Sequence, residues 1–317
     1  MEIRMSPEER PASERDAGER NEVEQPWTVG RLLTWTTDFL ERRGSESAGL
    51  DAQVLLAHAR KCQRIELFTA YDEEASAAVR AEFRELVRRR AEGTPVAYLV
   101  GHREFYSFDF QVTPDVLVPR PETEELVMAA IDVVKETAGE DASPVIADVG
   151  TGSGVVGICL AKQLSGARVW ATDISQAALE IARRNRDMND VADRVELLCG
   201  NLLAPVPEEI WFDLIVCNPP YVTTAEYAQL ARDVRDHEPY QALVAGERGT
   251  EIIERLIPQA ARKLKTGGWL LIEISPMIER AVYELLASDG RFATPTSVRD
   301  LAGNARVVKA AVTVHGQ

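Results

Sequence analysis

The sequence predicts an α/β fold: a doubly wound, mostly parallel sheet of seven strands, preceded by an N-terminal helical domain and a β-hairpin linker. Three observations predict it. From Pro144 onward, short continuous apolar runs alternate with helical periodicity, the pattern of strands covered on both faces by crossover helices. A glycine-rich turn joins the first of those runs to its helix. Residues 27–92, by contrast, carry helical periodicity and no clear strand.

The elements follow in order. Residues 1–26, "MEIRMSPEERPASERDAGERNEVEQP", are charged, mixed in sign and poor in apolar residues. They lack the apolar centre of a secretory signal and carry acids that transit peptides avoid, so they read as a disordered leader. In 27–92, helical spacing links Leu32, Leu33, Trp35, Phe39 and Leu40. It also links Leu50, Val54, Leu55 and His58, and later Val79, Phe83, Leu86 and Val87. Arg88, Arg89 and Arg90 followed by Gly93 suit a helix C-terminus. Residues 93–120 form the linker, where Phe108, Phe110 and Val112 alternate as in a hairpin. The domain from 121 to 317 opens with a helix. Pro121 suits its first turn, and Glu122, Glu124 and Glu125 suit its positive end. Strands are expected at 145–149, 168–172, 194–198, 213–217, 268–274, 294–298 and 305–313, with helices near 154–164, 175–188 and 250–264.

Composition narrows the function. Of 317 residues, 45% are hydrophobic and 27% charged, and no run nears the length of a membrane span. Cys62, Cys159, Cys199 and Cys217 stand far apart with no C-x-x-C pair. No metal site is expected, and the cysteines suit a reducing cytoplasm. The net charge of −15 points to a protein or small-molecule substrate and away from direct nucleic-acid binding. A monomer is the expected state.

"VIADVGTGSGVVGICLA" runs from a strand through Gly150, Thr151, Gly152, Ser153 and Gly154 into a helix. Glycines allow a tight turn and close approach of a ligand. From Gly152 the stretch also fits G-x-G-x-x-G, which dinucleotide and methyl-donor sites share. Asp148 separates the two. A carboxylate there repels a pyrophosphate but suits the cationic methionine end of S-adenosylmethionine (SAM), directly or by ordering the loop. A nicotinamide oxidoreductase is disfavoured on that ground. Asp173 ends the next strand, about 20 residues beyond the glycines, where an acid accepts ribose hydroxyls; the alternative is a helix N-cap. Asn201, with Leu202 beside it, closes the third strand either as an adenine contact or as a plain turn.

The fourth strand ends in Asn218, Pro219, Pro220 and Tyr221. Each proline holds the residue before it extended. The Asn218 side-chain oxygen and the Pro219 carbonyl thus form two fixed acceptors for the hydrogens of a planar NH2 group. As that nitrogen takes a methyl group and gains positive charge, the same hydrogen bonds strengthen. The Tyr221 ring can lie against the group and favour the charge.

With "GHREFYSFDFQVTPDVLVPRPETEELV", "DVRDHEPYQALVAGERGTEII" and "RDLAGNARVVKA", the chain closely resembles the HemK-type protein-(glutamine-N5) methyltransferases that modify peptide chain release factors. The resemblance spans roughly residues 28–313. It implies a SAM-methyltransferase (Rossmann-like) sheet, SAM contacts from Gly150 to Gly154, Asp173 and Asn218, and a substrate glutamine in the Gly-Gly-Gln loop of a release factor. It also implies that the helical domain grips that partner. Asn201 stands where the family often has Asp, and Ser275 and Ile278 where it usually has Gly and Gln. Two other readings use the same features: a methyltransferase acting on an exocyclic base amine of RNA or DNA, and a non-catalytic release-factor or ribosome-binding protein.

Overall fold

The structure, a computed structural model, describes residues 26–313. The expected leader falls outside the described residues except for Pro26. The chain divides into two compact units after Glu85.

The first unit is helical. Helices α1 (Val29–Glu41), α2 (Ala48–Arg60) and α3 (Glu66–Thr69) precede α4 (Ala77–Ala91), within which the division falls. Thr28 caps α1 by accepting from the Arg31 N–H. The core faces differ in detail from the apolar spacing. Leu32, Leu33 and Leu40 are buried, but Trp35 is 47% exposed and stacks on Phe39 with centroids 5.1 Å apart. In α2 the buried face is Ala52, Leu55, Leu56 and Ala59, while Leu50 is exposed.

The second unit begins with α5 (Val96–Val100), which the sequence did not signal, and the hairpin β1 (His102–Phe105) and β2 (Phe108–Gln111). Tyr106 and Ser107 turn the hairpin with φ of 51° and 63°, the left-handed pair that matches strand twist. The "PRPETE" segment then forms a 3-10 turn, Pro121–Thr123, which runs into α6 (Glu124–Ala138).

The sheet follows: β3 (Val145–Val149), α7 (Val155–Gln163), β4 (Arg168–Asp173), α8 (Gln176–Met188), β5 (Val195–Cys199) and β6 (Phe212–Cys217). A small excursion holds β7 (Val222–Thr223), α9 (Thr224–Tyr227), α10 (Arg232–His237), α11 (Tyr240–Leu243) and β8 (Val244–Gly246). Then come α12 (Glu251–Lys263), β9 (Leu264–Glu273), α13 (Glu279–Asp289), β10 (Thr296–Arg299) and β11 (Ala305–Ala311). The seven strands lie in the order β10-β11-β9-β6-β3-β4-β5. All pairs from β9 to β5 are parallel; β11 is antiparallel to both β9 and β10.

Alternating side chains build a core on each face of the sheet. Ile146, Leu214, Val216, Leu271 and Val307 pack with Leu126, Ile158 and Leu160. Ala147, Ile215, Leu270, Ile272 and Val308 pack with Ile253, Leu256, Val282 and Leu286 on the other. Burying each large aliphatic side chain contributes roughly 1.5–3 kcal/mol. The chain runs outward from β3 to β5 and returns to the other side of β3 at β6. Such a reversal leaves a crevice at the carboxyl ends of β3 and β6.

Candidate active site

A cavity of about 510 Å³ occupies that end of the sheet. Its wall includes Asp148, Gly150, Thr151, Gly152, Ser153, Asp173, Asn201, Leu202, Asn218, Pro219 and Pro220. The structure thus brings most of the sequence-predicted site residues together. Gly154 and Tyr221 lie outside the wall.

The loop after β3 is held by backbone bonds. The N–H groups of Gly150 and Thr151 both donate to the Thr172 carbonyl, at 2.8 and 2.9 Å. Gly150, Gly152 and Gly154 have φ of 74°, 57° and 88°, where side chains are strained. At Gly154, which caps α7, a Cβ would also stand 2.8 Å from Ile158 Cδ1. Asp148 is buried and accepts from the Thr151 hydroxyl at 2.6 Å and the Gly157 N–H at 2.9 Å. It therefore ties the loop to the first turn of α7. Burial pushes its pKa up to about 6 against the pull of those two donors.

Asp173 Oδ2 accepts from the Gly152 N–H at 2.8 Å, and its Oδ1 from the Ser175 N–H at 2.9 Å. The cap of α8 is Ser175, whose side chain accepts from the Ala178 N–H. Asp173 is thus not the N-cap; its carboxylate sits in the cavity wall with lone pairs to spare, and burial raises its pKa. Asn201 is exposed, and its Oδ1 accepts from Arg255 at 2.5 Å. Leu202 beside it has φ of 52°.

Asn218 follows β6 directly, and β6 pairs with β3 so that Cys217 faces Val149. A Cβ on Gly150 would lie 4.0 Å from the Asn218 carbonyl oxygen, so loop and Asn-Pro-Pro-Tyr segment are neighbours. Asn218 Nδ2 donates to Thr123 Oγ1 at 3.1 Å. Among the described residues no donor reaches Asn218 Oδ1. Cys217 also lies in the wall, 1% exposed, and burial holds its thiol pKa well above the usual range. Burial likewise pushes Tyr221 up to about 12, with Glu273 acting in the same direction.

Three contributors escaped the motif reading. Asn185, fully buried, donates to the Ser153 carbonyl at 2.8 Å and exchanges bonds with the Gln111 backbone, joining the loop to the hairpin. Arg120, in the cavity wall, pairs with buried Glu238 at 2.5 Å, which also accepts from the Val118 N–H. That pair joins "PRPETE" to "HEPYQAL", segments whose resemblance is visible in sequence but whose contact is not. Thr123 is the third. Among the described residues no cluster of His, Cys, Asp and Glu can hold a metal ion, and no helix is long and apolar enough to cross a membrane.

Comparison with known proteins adds the following. Residues 31–101 match the PrmC N-terminal domain family, and residues 129–234 the methyltransferase small domain family. A release factor glutamine methyltransferase of Rhodopirellula baltica is 49% identical over 89% of this chain and 96% of its own. One of Koribacter versatilis is 42% identical over 89% and 97%. One of Moorella thermoacetica is 42% identical over 88% and 96%. Among solved structures, the hMettl16 catalytic domain superposes with a TM-score of 0.55 at 16% identity, over 70% of this chain and 82% of that one, a likeness of fold.

Proposed function

Since this chain belongs to the release factor glutamine methyltransferase family, we propose that it methylates the side-chain amide nitrogen (N5) of the glutamine in the Gly-Gly-Gln motif of a peptide chain release factor, with SAM as methyl donor. One observation carries the reading: the glycine loop and Asn218 line one cavity, within contact distance of each other. SAM, when bound, supplies an electrophilic methyl group. The residues present suit it. The cavity falls within the range of about 300–1,000 Å³ typical of small-molecule sites. Gly150, Thr151, Gly152 and Ser153 offer a close backbone wall, shaped by Gly154 and ordered by Asp148. Asp173 retains acceptor capacity for the ribose hydroxyls, and Asn201 and Leu202, in the same wall, would lie beside the adenine.

Asn218 and Pro219 do the positioning. With Nδ2 held by Thr123, the Asn218 amide has one orientation, and Oδ1 is left to accept from a substrate NH2. The Pro219 carbonyl is the second acceptor, fixed because Pro220 follows it. A weakly nucleophilic amide is thereby aimed, and its growing positive charge meets two oxygens. Pro220 adds to the wall, and Tyr221 lies outside it. No strong base is needed, since the methylated cation loses its proton readily. Selection of one glutamine needs contacts elsewhere, which the domain of residues 27–92 supplies, ahead of the linker at 93–120 and the catalytic domain at 121–317. The enzyme acts as a cytoplasmic monomer without direct nucleic-acid binding. Incubation with SAM and purified release factors tests this. Mass spectrometry should find one added methyl on the Gly-Gly-Gln glutamine; an unmodified glutamine refutes the reading.

A further inference from the structure

Glu273 ends β9, which pairs with β6 so that Ile272 faces Cys217. Glu273 and Asn218, the next residues, therefore leave the ladder side by side. Glu273 is 3% exposed, and among the described residues its Oε2 has no hydrogen-bond partner. Leaving a buried carboxylate oxygen bare is costly, and such groups persist where function requires them. Its surroundings identify the use. Thr123 and Glu122 face it from the 3-10 turn, Asn218, Tyr221 and Cys217 from the end of β6, and Arg306 from β11. Arg306 is itself engaged with Asp300 at 2.7 Å. Thr123 Oγ1 accepts from Asn218, so its own hydroxyl proton needs an acceptor, and at 2% exposure Thr123 has little access to water. The Glu273 carboxylate is the acceptor at hand, and the Thr123 and Asn218 side chains both favour its charged form.

We propose that Glu273 is a positioning residue of the amide clamp: as a carboxylate it accepts hydrogen bonds from the Thr123 hydroxyl and from an Asn218 amide N–H, and so keeps Asn218 with Nδ2 inward and Oδ1 toward the substrate. The proposal rests on the clamp reading of Asn218 given above. It has a definite consequence when Glu273 is protonated. The acid then donates, Asn218 Oδ1 becomes the better inward partner, and the amide turns over. An NH2 group would face the substrate NH2, donor against donor. Burial pushes the Glu273 pKa up to about 7, Glu122 adds to the rise, and Thr123, Arg306 and Asn218 oppose it. The clamp is therefore set above that pH and lost below it.

The test compares wild type with Glu273→Gln on a purified release factor. Wild-type kcat should fall as pH drops through about 7, tending to about tenfold per unit. Glu273→Gln should lower kcat at about pH 8 by about tenfold or more and remove that limb. SAM affinity by calorimetry should stay within about twofold of wild type. Its Tm at the same pH should equal or exceed that of wild type, because a carboxylate with a raised pKa destabilises the fold once ionised. Wild-type kcat with the limb intact in the variant overturns the proposal. So does a loss of kcat accompanied by lower Tm and weaker SAM binding, which marks a structural role. Should Glu273→Gln fail to fold, Thr123→Val decides: kcat should drop with Tm and SAM affinity held, and unchanged kcat overturns the role. If wild type itself leaves release factors unmethylated, the functional reading fails, and the proposal with it. Methylation with a flat pH profile and an unaffected variant removes only the Glu273 role.

Discussion

The two units of the chain place their chemistry in opposite positions. The helical unit keeps large apolar groups outside: Trp35, Ile65, Phe68 and Tyr71 are all exposed. Among the described residues its one buried carboxylate, Asp51, is satisfied by the Ser45 and Ser47 hydroxyls. The sheet unit instead takes carboxylates inside, with Asp148, Glu238 and Glu273 each 5% exposed or less near the strand ends. Buried charge is what shifted pKa values and fixed dipoles require. Accessible apolar surface is what another protein can bind. On the function proposed above, turnover belongs to the sheet unit and capture to the helical one, so damage to each should register in different kinetic constants.

The largest effect is expected at Asn218. Asn218→Ala should lower kcat by about 10² or more, the scale of losing one preorganised polar group, with Tm and SAM affinity largely kept. Retention of half the wild-type turnover at saturating substrate would remove the clamp from the sheet unit. Asp173→Ala comes next. Loss of a charged acceptor to the ribose should weaken SAM by about 1.5–3 kcal/mol in calorimetry. Unchanged affinity would leave Asp173 only its bonds to Gly152 and Ser175. Asn185→Ala sharpens the contrast on the stability side. It strips a buried partner from the Gln111 N–H and the Ser153 carbonyl, and denaturant titration should show a loss of about 1–3 kcal/mol. No loss would mean that the loop is held without the hairpin.

The smallest effect belongs to the helical unit. Trp35→Ala should raise KM for an intact release factor about fivefold, roughly 1 kcal/mol, while kcat stays near wild type. Its rate on a short Gly-Gly-Gln peptide should not change. Equal losses on both substrates would collapse the distinction between the units.

The sequence made some of this legible and hid the rest for physical reasons. The five parallel strands were visible because strands covered on both faces must be continuously apolar, as in Leu214, Ile215 and Val216. The cavity residues from Gly150 to Ser153, Asp173 and Asn218 were visible because a strand end and a tight turn leave local signatures. Short elements such as α5, β7 and β8 were not, since one turn of helix or two to three residues of strand carry no period. Trp35 and Leu50 fit their helical stripes yet face solvent, because periodicity does not distinguish a buried stripe from an exposed one. Thr123 and Glu273 were invisible as neighbours of Asn218. They lie far along the chain in either direction, and only the 3-10 turn and the β6–β9 register bring them together.

Cys217 carries a further consequence. It is the residue before Asn218, in the wall of the cavity proposed above for the methyl donor. Sulfur is intrinsically a far better nucleophile than an amide nitrogen, but only as thiolate. Burial, together with the negative charges of Asp148, Glu273 and Asp173, keeps this thiol protonated. On the function proposed above, the buried, acid-rich strand end beside the glutamine clamp also serves chemoselectivity: a thiol kept protonated does not compete with the poorer nucleophile for the methyl group.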